Sequence, residues 1–110
     1  MTNRFSDTLA RLAATIESRK GADPASSYTA KLLAGGAALT AKKFGEEAVE
    51  TVIAALQADP EAIASESADL IYHWLVLLAQ AGVSLEAVAD KLAAREGVSG
   101  VAEKAARPKA

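Results

Sequence analysis

Apolar residues recur along most of the chain at helical spacing, and no segment alternates apolar and polar positions as a strand would. Phe5, Leu9, Leu12, Ala13 and Ile16 form one stripe, which predicts a first helix from Asp7 to about Arg19, capped by Ser6 or Asp7 and stopped near Gly21. The segment Gly21 to Ser27 has the Gly, Pro and Ser content of a loop, and Ser26 or Ser27 can cap a short helix over Tyr28 to Ala34. Gly35 and Gly36 read as its stop, and a longer helix follows from near Leu39 to about Ala58. Asp59-Pro60-Glu61 is the sharpest boundary: a capping side chain, a Pro at the first helical position and an acid in the first turn. It predicts a helix through Ala81 that ends at Gly82. Ser84 then caps a last helix to about Arg95, closed by Gly97. One domain over residues 1–96 is expected, with 97–110 a disordered tail, since that stretch has little to pack.

Composition strengthens the all-α reading. About a quarter of the residues are Ala, the best helix former, and only 5% are aromatic. A 110-residue chain whose apolar volume is divided among so many methyl groups buries little surface alone, so part of its core is expected from another copy. The expected fold is therefore a helical hairpin or bundle of four to five helices, completing a four-helix-type core by homodimerisation. Charge adds exclusions: twelve basic against fourteen acidic residues leave a net charge of -2, which gives no drive toward nucleic acid or anionic lipid. The absence of Cys excludes disulfides, Cys zinc sites and thiolate catalysis. The longest apolar run, Leu70 to Ala79, is short of the roughly 20 residues of a membrane span, and no apolar signal core follows Met1. No membrane partner and a cytoplasmic location are expected.

Two acidic segments carry the candidate chemistry: Glu46-Glu47-Ala48-Val49-Glu50 and Glu66-Ser67-Ala68-Asp69. At about 100° per residue, Glu46, Glu47 and Glu50 share an arc next to a sector holding Val49, Val52, Ile53 and Leu56, so the acids are expected to border a buried stripe. Taken alone, such a segment is most simply a solvated helix face. Asp69 is harder to place, because Leu70, Ile71, Trp74, Leu75, Leu77 and Leu78 follow it and predict a buried helix. A buried carboxylate costs several kcal/mol unless it is compensated, here by a metal or by an ion pair to Lys42 or Lys43. In the ion-pair case the chain would be a helical interaction module without catalysis.

Helices joined by the Asp59-Pro60 turn pack antiparallel, which can bring Glu47 and Glu50 opposite Glu66 and Asp69. Clustered carboxylates repel one another, and all-oxygen ligation suits hard divalent cations, Mg²⁺ above all with a polyphosphate. A di-iron bundle wants Glu-x-x-His, whereas Asp69 occupies the third position after Glu66 and His73 comes a turn later. Arg19, Lys20, Lys31, Lys42 and Lys43 flank the acids and could meet phosphate. No P-loop and no hydrolytic triad is present, which leaves metal-assisted attack by water.

Four segments together resemble a known family: Gly21-Ala22-Asp23-Pro24, Ser27-Tyr28-Thr29-Ala30-Lys31-Leu32, Lys42-Lys43-Phe44-Gly45-Glu46-Glu47-Ala48-Val49-Glu50 and Glu66-Ser67-Ala68-Asp69-Leu70-Ile71-Tyr72-His73. From about Leu9 to Leu92 the chain resembles phosphoribosyl-ATP pyrophosphohydrolases. Glu-x-x-Glu followed by Glu-x-x-Asp is similar to the broader all-α (MazG-like) nucleotide pyrophosphohydrolases, and the other segments narrow the resemblance to the histidine-pathway branch. The resemblance implies Mg²⁺-dependent hydrolysis of phosphoribosyl-ATP to phosphoribosyl-AMP and pyrophosphate by a dimer or larger oligomer. The alternative is a MazG-like house-cleaning hydrolase of nucleoside triphosphates. By position, Glu47, Glu50, Glu66 and Asp69 would hold the metal, with Glu46 a further ligand or the residue that orients or deprotonates water. Lys31, Lys42, Lys43, Arg19 and Lys20 would meet substrate phosphates, and Ser27, Tyr28 and Thr29 ribose or phosphate oxygens. His73 is open between a group that orients Asp69 and a satisfied core histidine. The resemblance also implies a stand-alone form, since the cyclohydrolase fused to some members uses Cys ligands that this chain lacks.

Overall fold

The computed structural model describes residues 3–97. Five helices follow in order: α1 (Arg4–Ser18), α2 (Tyr28–Ala34), α3 (Gly36–Leu56), α4 (Pro60–Ala81) and α5 (Leu85–Ala93), with no strand among the described residues. Apart from Gly97, the tail expected over 97–110 lies outside the described residues.

Most boundaries follow from local capping. Ser27, Asp59 and Ser84 each accept from backbone amides in the first turn of α2, α4 and α5. Two expectations shift. Asn3, rather than Ser6 or Asp7, caps α1: its Oδ1 accepts from the Ser6 amide at 3.1 Å, so the helix begins a turn early. α3 begins at Gly36 rather than near Leu39, because Gly35 ends α2 and caps α3 at once, while Gly36, at φ +74°, turns the chain in a single step. A Cβ on Gly35 would overlap Leu39, so this corner needs that glycine as well.

α3 and α4 form the central hairpin, with α1 against α4 and α2 against both. The Thr51 hydroxyl donates to the Glu47 carbonyl at 2.8 Å and lies 3.3 Å from the Glu66 carbonyl, which ties the two helices in antiparallel register. The core gathers around the C-terminal half of α4: Leu75 and Val76 pack with Ile16 of α1 and Leu32 of α2, and Leu85 of α5 closes one end. α4 is long and apolar enough to cross a membrane by length and composition, unlike the short run read from sequence. In the fold it is the core helix, with His73, Leu75, Val76 and Leu78 buried.

The expected burial of the Val49, Val52, Ile53 and Leu56 stripe does not hold within one chain. All four are exposed, Leu56 at 82%, because α3 turns Thr40, Thr51 and Ala54 inward. These side chains recur at i, i+3, i+4 and i+7 and form a continuous apolar strip on the outer face of the hairpin.

Candidate active site

The hairpin register brings carboxylates of both helices together. Oxygen atoms of Glu47, Glu66 and Asp69 all lie within 4.8 Å of one another. Glu50, one turn beyond Glu47, is near enough to act on Glu66. Glu66 is half-buried, and its carboxyl titrates above the ordinary range, first through desolvation and then through the charges of Asp69, Glu47 and Glu50. No ion pair reaches Glu47, Glu66 or Asp69 among the described residues. Three hard oxygen donors with uncompensated negative charge fit a divalent cation.

Asp69 itself is exposed, which corrects the expectation of a buried carboxylate. α1 and α2 cover only the C-terminal half of α4, so Leu75, Val76 and Leu78 are buried while Asp69 faces water. The ion pair to Lys42 or Lys43 that an interaction module would need does not form. Lys43 pairs instead with Glu46, 3.3 Å away on the same helix, and both remain accessible to water. Glu46 therefore stands apart from the group of three.

The basic residues divide. Lys31 borders a recess of about 550 Å³ shared with Pro24, Ala25, Ser26, Ser27 and Tyr28. Lys31 and Lys42 are exposed and form no ion pair among the described residues. Lys20 pairs with Glu17 at 2.9 Å and lines a different recess with Gln80. Gln80 is eleven residues beyond Asp69, about 16 Å along α4, so the end of α1, with Arg19 and Lys20, sits away from the carboxylates.

Ser27, Tyr28 and Thr29 already have partners within the chain. Ser27 Oγ caps α2 through the Ala30 amide at 3.1 Å. The Thr29 and Tyr72 hydroxyls bond each other, and the Tyr28 hydroxyl lies 3.2 Å from His73 Nε2. His73 Nδ1 lies 2.8 Å from the Asp69 carbonyl oxygen. A carbonyl only accepts, so Nδ1 carries the proton, and with Nε2 unprotonated the ring accepts the Tyr28 hydroxyl there. His73 thus meets the backbone of Asp69 and not its carboxylate. Thr51 was not anticipated; its position one turn after Glu47, on the same helix face, was the available signal.

Fold and site define a class: an all-α hairpin that presents clustered carboxylates from two antiparallel helices. The comparisons refine this. A family model described as phosphoribosyl-ATP pyrophosphohydrolase matches residues 9–96, and the chain belongs to that family. Proteins named phosphoribosyl-ATP pyrophosphatase are similar over nearly the whole length. The one from Caulobacter sp. (strain K31) is 72% identical over 106 residues, 96% of this chain and 98% of the relative. That of Caulobacter vibrioides (strain NA1000 / CB15N) is 67% identical over 97% of this chain and 99% of its own. That of Azospirillum brasilense is 63% identical over 90% and 89%.

Proposed function

We propose that this chain hydrolyses phosphoribosyl-ATP between its α and β phosphates, with Mg²⁺, to phosphoribosyl-AMP and pyrophosphate, the second step of histidine biosynthesis, as a cytoplasmic homodimer. The observation that carries the reading is the convergence of Glu47, Glu66 and Asp69 without a compensating cation, in a chain that belongs to this family. Glu47, Glu66 and Asp69, with Glu50 beside them, would hold Mg²⁺. The bound metal would offset phosphate charge and lower the pKa of an attacking water. Glu46 lies outside the ligand group and is solvent-accessible, which favours orienting or deprotonating water over ligation. Lys42 and Lys31, which form no ion pair among the described residues, would supply positive charge for the substrate phosphates.

The homodimer rests on the outer strip of α3. Val49, Val52, Ile53 and Leu56 are all exposed on one side of α3 and form a contiguous apolar strip, the kind of surface that a second copy can cover. Gly45 continues the strip one turn toward the N-terminus, where an added Cβ would meet nothing in the chain, so no intrachain contact explains a helix-weakening glycine there.

The test is pyrophosphate release by the purified chain from phosphoribosyl-ATP, with ATP and deoxynucleoside triphosphates in parallel, each with Mg²⁺ and with excess chelator. Chelator-sensitive release from phosphoribosyl-ATP alone is expected. Equal or faster cleavage of plain triphosphates would replace the pathway assignment with a house-cleaning role, and no release from any of them would end the hydrolase reading.

A further inference from the structure

Two adjacent side-chain ties join the first turn of α2 to α4 one turn beyond Asp69: Tyr28 to His73 and Thr29 to Tyr72. The rings form a compact group, with Tyr28 and Tyr72 stacked at 6.4 Å and Tyr72 edge-on to His73 at 5.0 Å. We propose that Tyr72 and His73 are positioning residues, which hold Tyr28, Thr29 and the 24–31 recess in fixed register with the carboxylates so that the part of the nucleotide beyond the reacting anhydride binds beside them. The inference rests on the functional reading above and deepens it.

Three observations support it. α2 has seven residues, too few to hold as a helix on its own, and packing anchors it through Ala30 and Leu32. Tyr28, in the same turn as buried Ala30, is itself 52% exposed, so burial does not fix its side chain, and the bond to His73 does. His73 is 7% exposed in the apolar stretch of α4, where an apolar side chain would fill the space without the desolvation cost of an imidazole. Both ring nitrogens are satisfied, one by the Asp69 carbonyl and the other by Tyr28, so the ring connects the backbone of a carboxylate residue to the wall of the recess. The same recess carries Lys31, which has no ion pair among the described residues.

The experiment measures kcat, KM for phosphoribosyl-ATP and half-saturating Mg²⁺ for the full chain and for Tyr28→Phe, Tyr72→Phe, His73→Ala, His73→Gln and Tyr28→Phe combined with His73→Ala. Each lost tie is expected to raise KM about threefold to tenfold. Turnover and the Mg²⁺ requirement should stay within about twofold. His73→Gln, whose amide oxygen still accepts the Tyr28 hydroxyl, should recover most of what His73→Ala loses. Tyr28→Phe should add nothing once His73 is removed, because Tyr28 acts through that ring. An equal KM increase from Tyr28→Phe in both backgrounds would overturn the proposal in favour of direct substrate contact. A lower melting temperature with unchanged KM would overturn it in favour of a purely structural role. Should the unaltered chain release no pyrophosphate, the functional reading fails first. Amide exchange over residues 24–31 then judges the tie: about tenfold faster exchange in His73→Ala supports it, and equal exchange overturns it.

Discussion

The two long faces of α3 are reversed relative to an ordinary surface helix. The side toward α4 carries Thr40, Glu47, Thr51 and small Ala54, while the side toward water carries Val49, Val52, Ile53 and Leu56. The inner face gathers negative charge that no ion pair among the described residues offsets, and the outer one leaves apolar area exposed to water. The reversal inverts the usual pattern of apolar residues inside and polar ones outside, and under the proposed function a cation would cover the inner face and a second copy the outer one.

Removing an inner carboxylate should have the largest effect. Glu47→Gln or Asp69→Asn is expected to lower pyrophosphate release about 100-fold or more, while the melting temperature stays level or rises as repulsion is relieved. Rates within tenfold of the unaltered chain would leave the inner face without its assigned role. On the outer face, Val52→Glu sets a charge at the centre of the strip and should weaken self-association at least about 100-fold, read by sedimentation velocity. An unchanged sedimentation coefficient would detach the strip from dimerisation.

A subtler contrast comes from pH. The Glu66 carboxyl is raised in the folded chain, so on acidification the folded state takes up its proton before the unfolded state does. Without divalent ions the melting temperature should therefore rise as pH falls through the window just above the ordinary Glu range, the sign expected of a raised acid. Glu66→Gln should flatten that dependence, and saturating Mg²⁺ should oppose it, since the cation requires the ionised form. A metal-free stability that falls on acidification in this window would contradict the environment described for Glu66. The smallest effect is assigned to the turn between the faces. Ala58 holds φ +55°, a left-handed conformation that Gly adopts without strain, and Ala58→Gly should stabilise the chain by about 1 kcal/mol in denaturant unfolding with turnover unchanged. A loss of activity there would mean that hairpin register is set by the turn as well as by Thr51.

The helices were legible because their signals are local. Ser27, Asp59 and Ser84 bond amides two or three residues on, and a spacing read along the chain shows this directly. Asn3, Ser6 and Asp7 all offer capping side chains within five residues, and only the realised bond from the Ser6 amide to Asn3 separates them. The carboxylate group was legible as a pair of spacings plus a short turn. Its members Glu47, Glu66 and Asp69, with Glu50 beside them, were legible too, whereas the pairing of Glu46 with Lys43 within α3 was not.

By itself the sequence determined the all-α class, the hairpin through Asp59-Pro60, the acidic constellation and the family resemblance. Each depends on residue type and spacing along one chain. The exposure of Asp69, the outward turn of the α3 strip and the engagement of Tyr28 and Thr29 with His73 and Tyr72 were decided only by tertiary structure. Whether a helical position faces core or water depends on which neighbours cover it. α1 and α2 cover the C-terminal half of α4 and leave the N-terminal half open, and helical periodicity carries no information about where that covering ends.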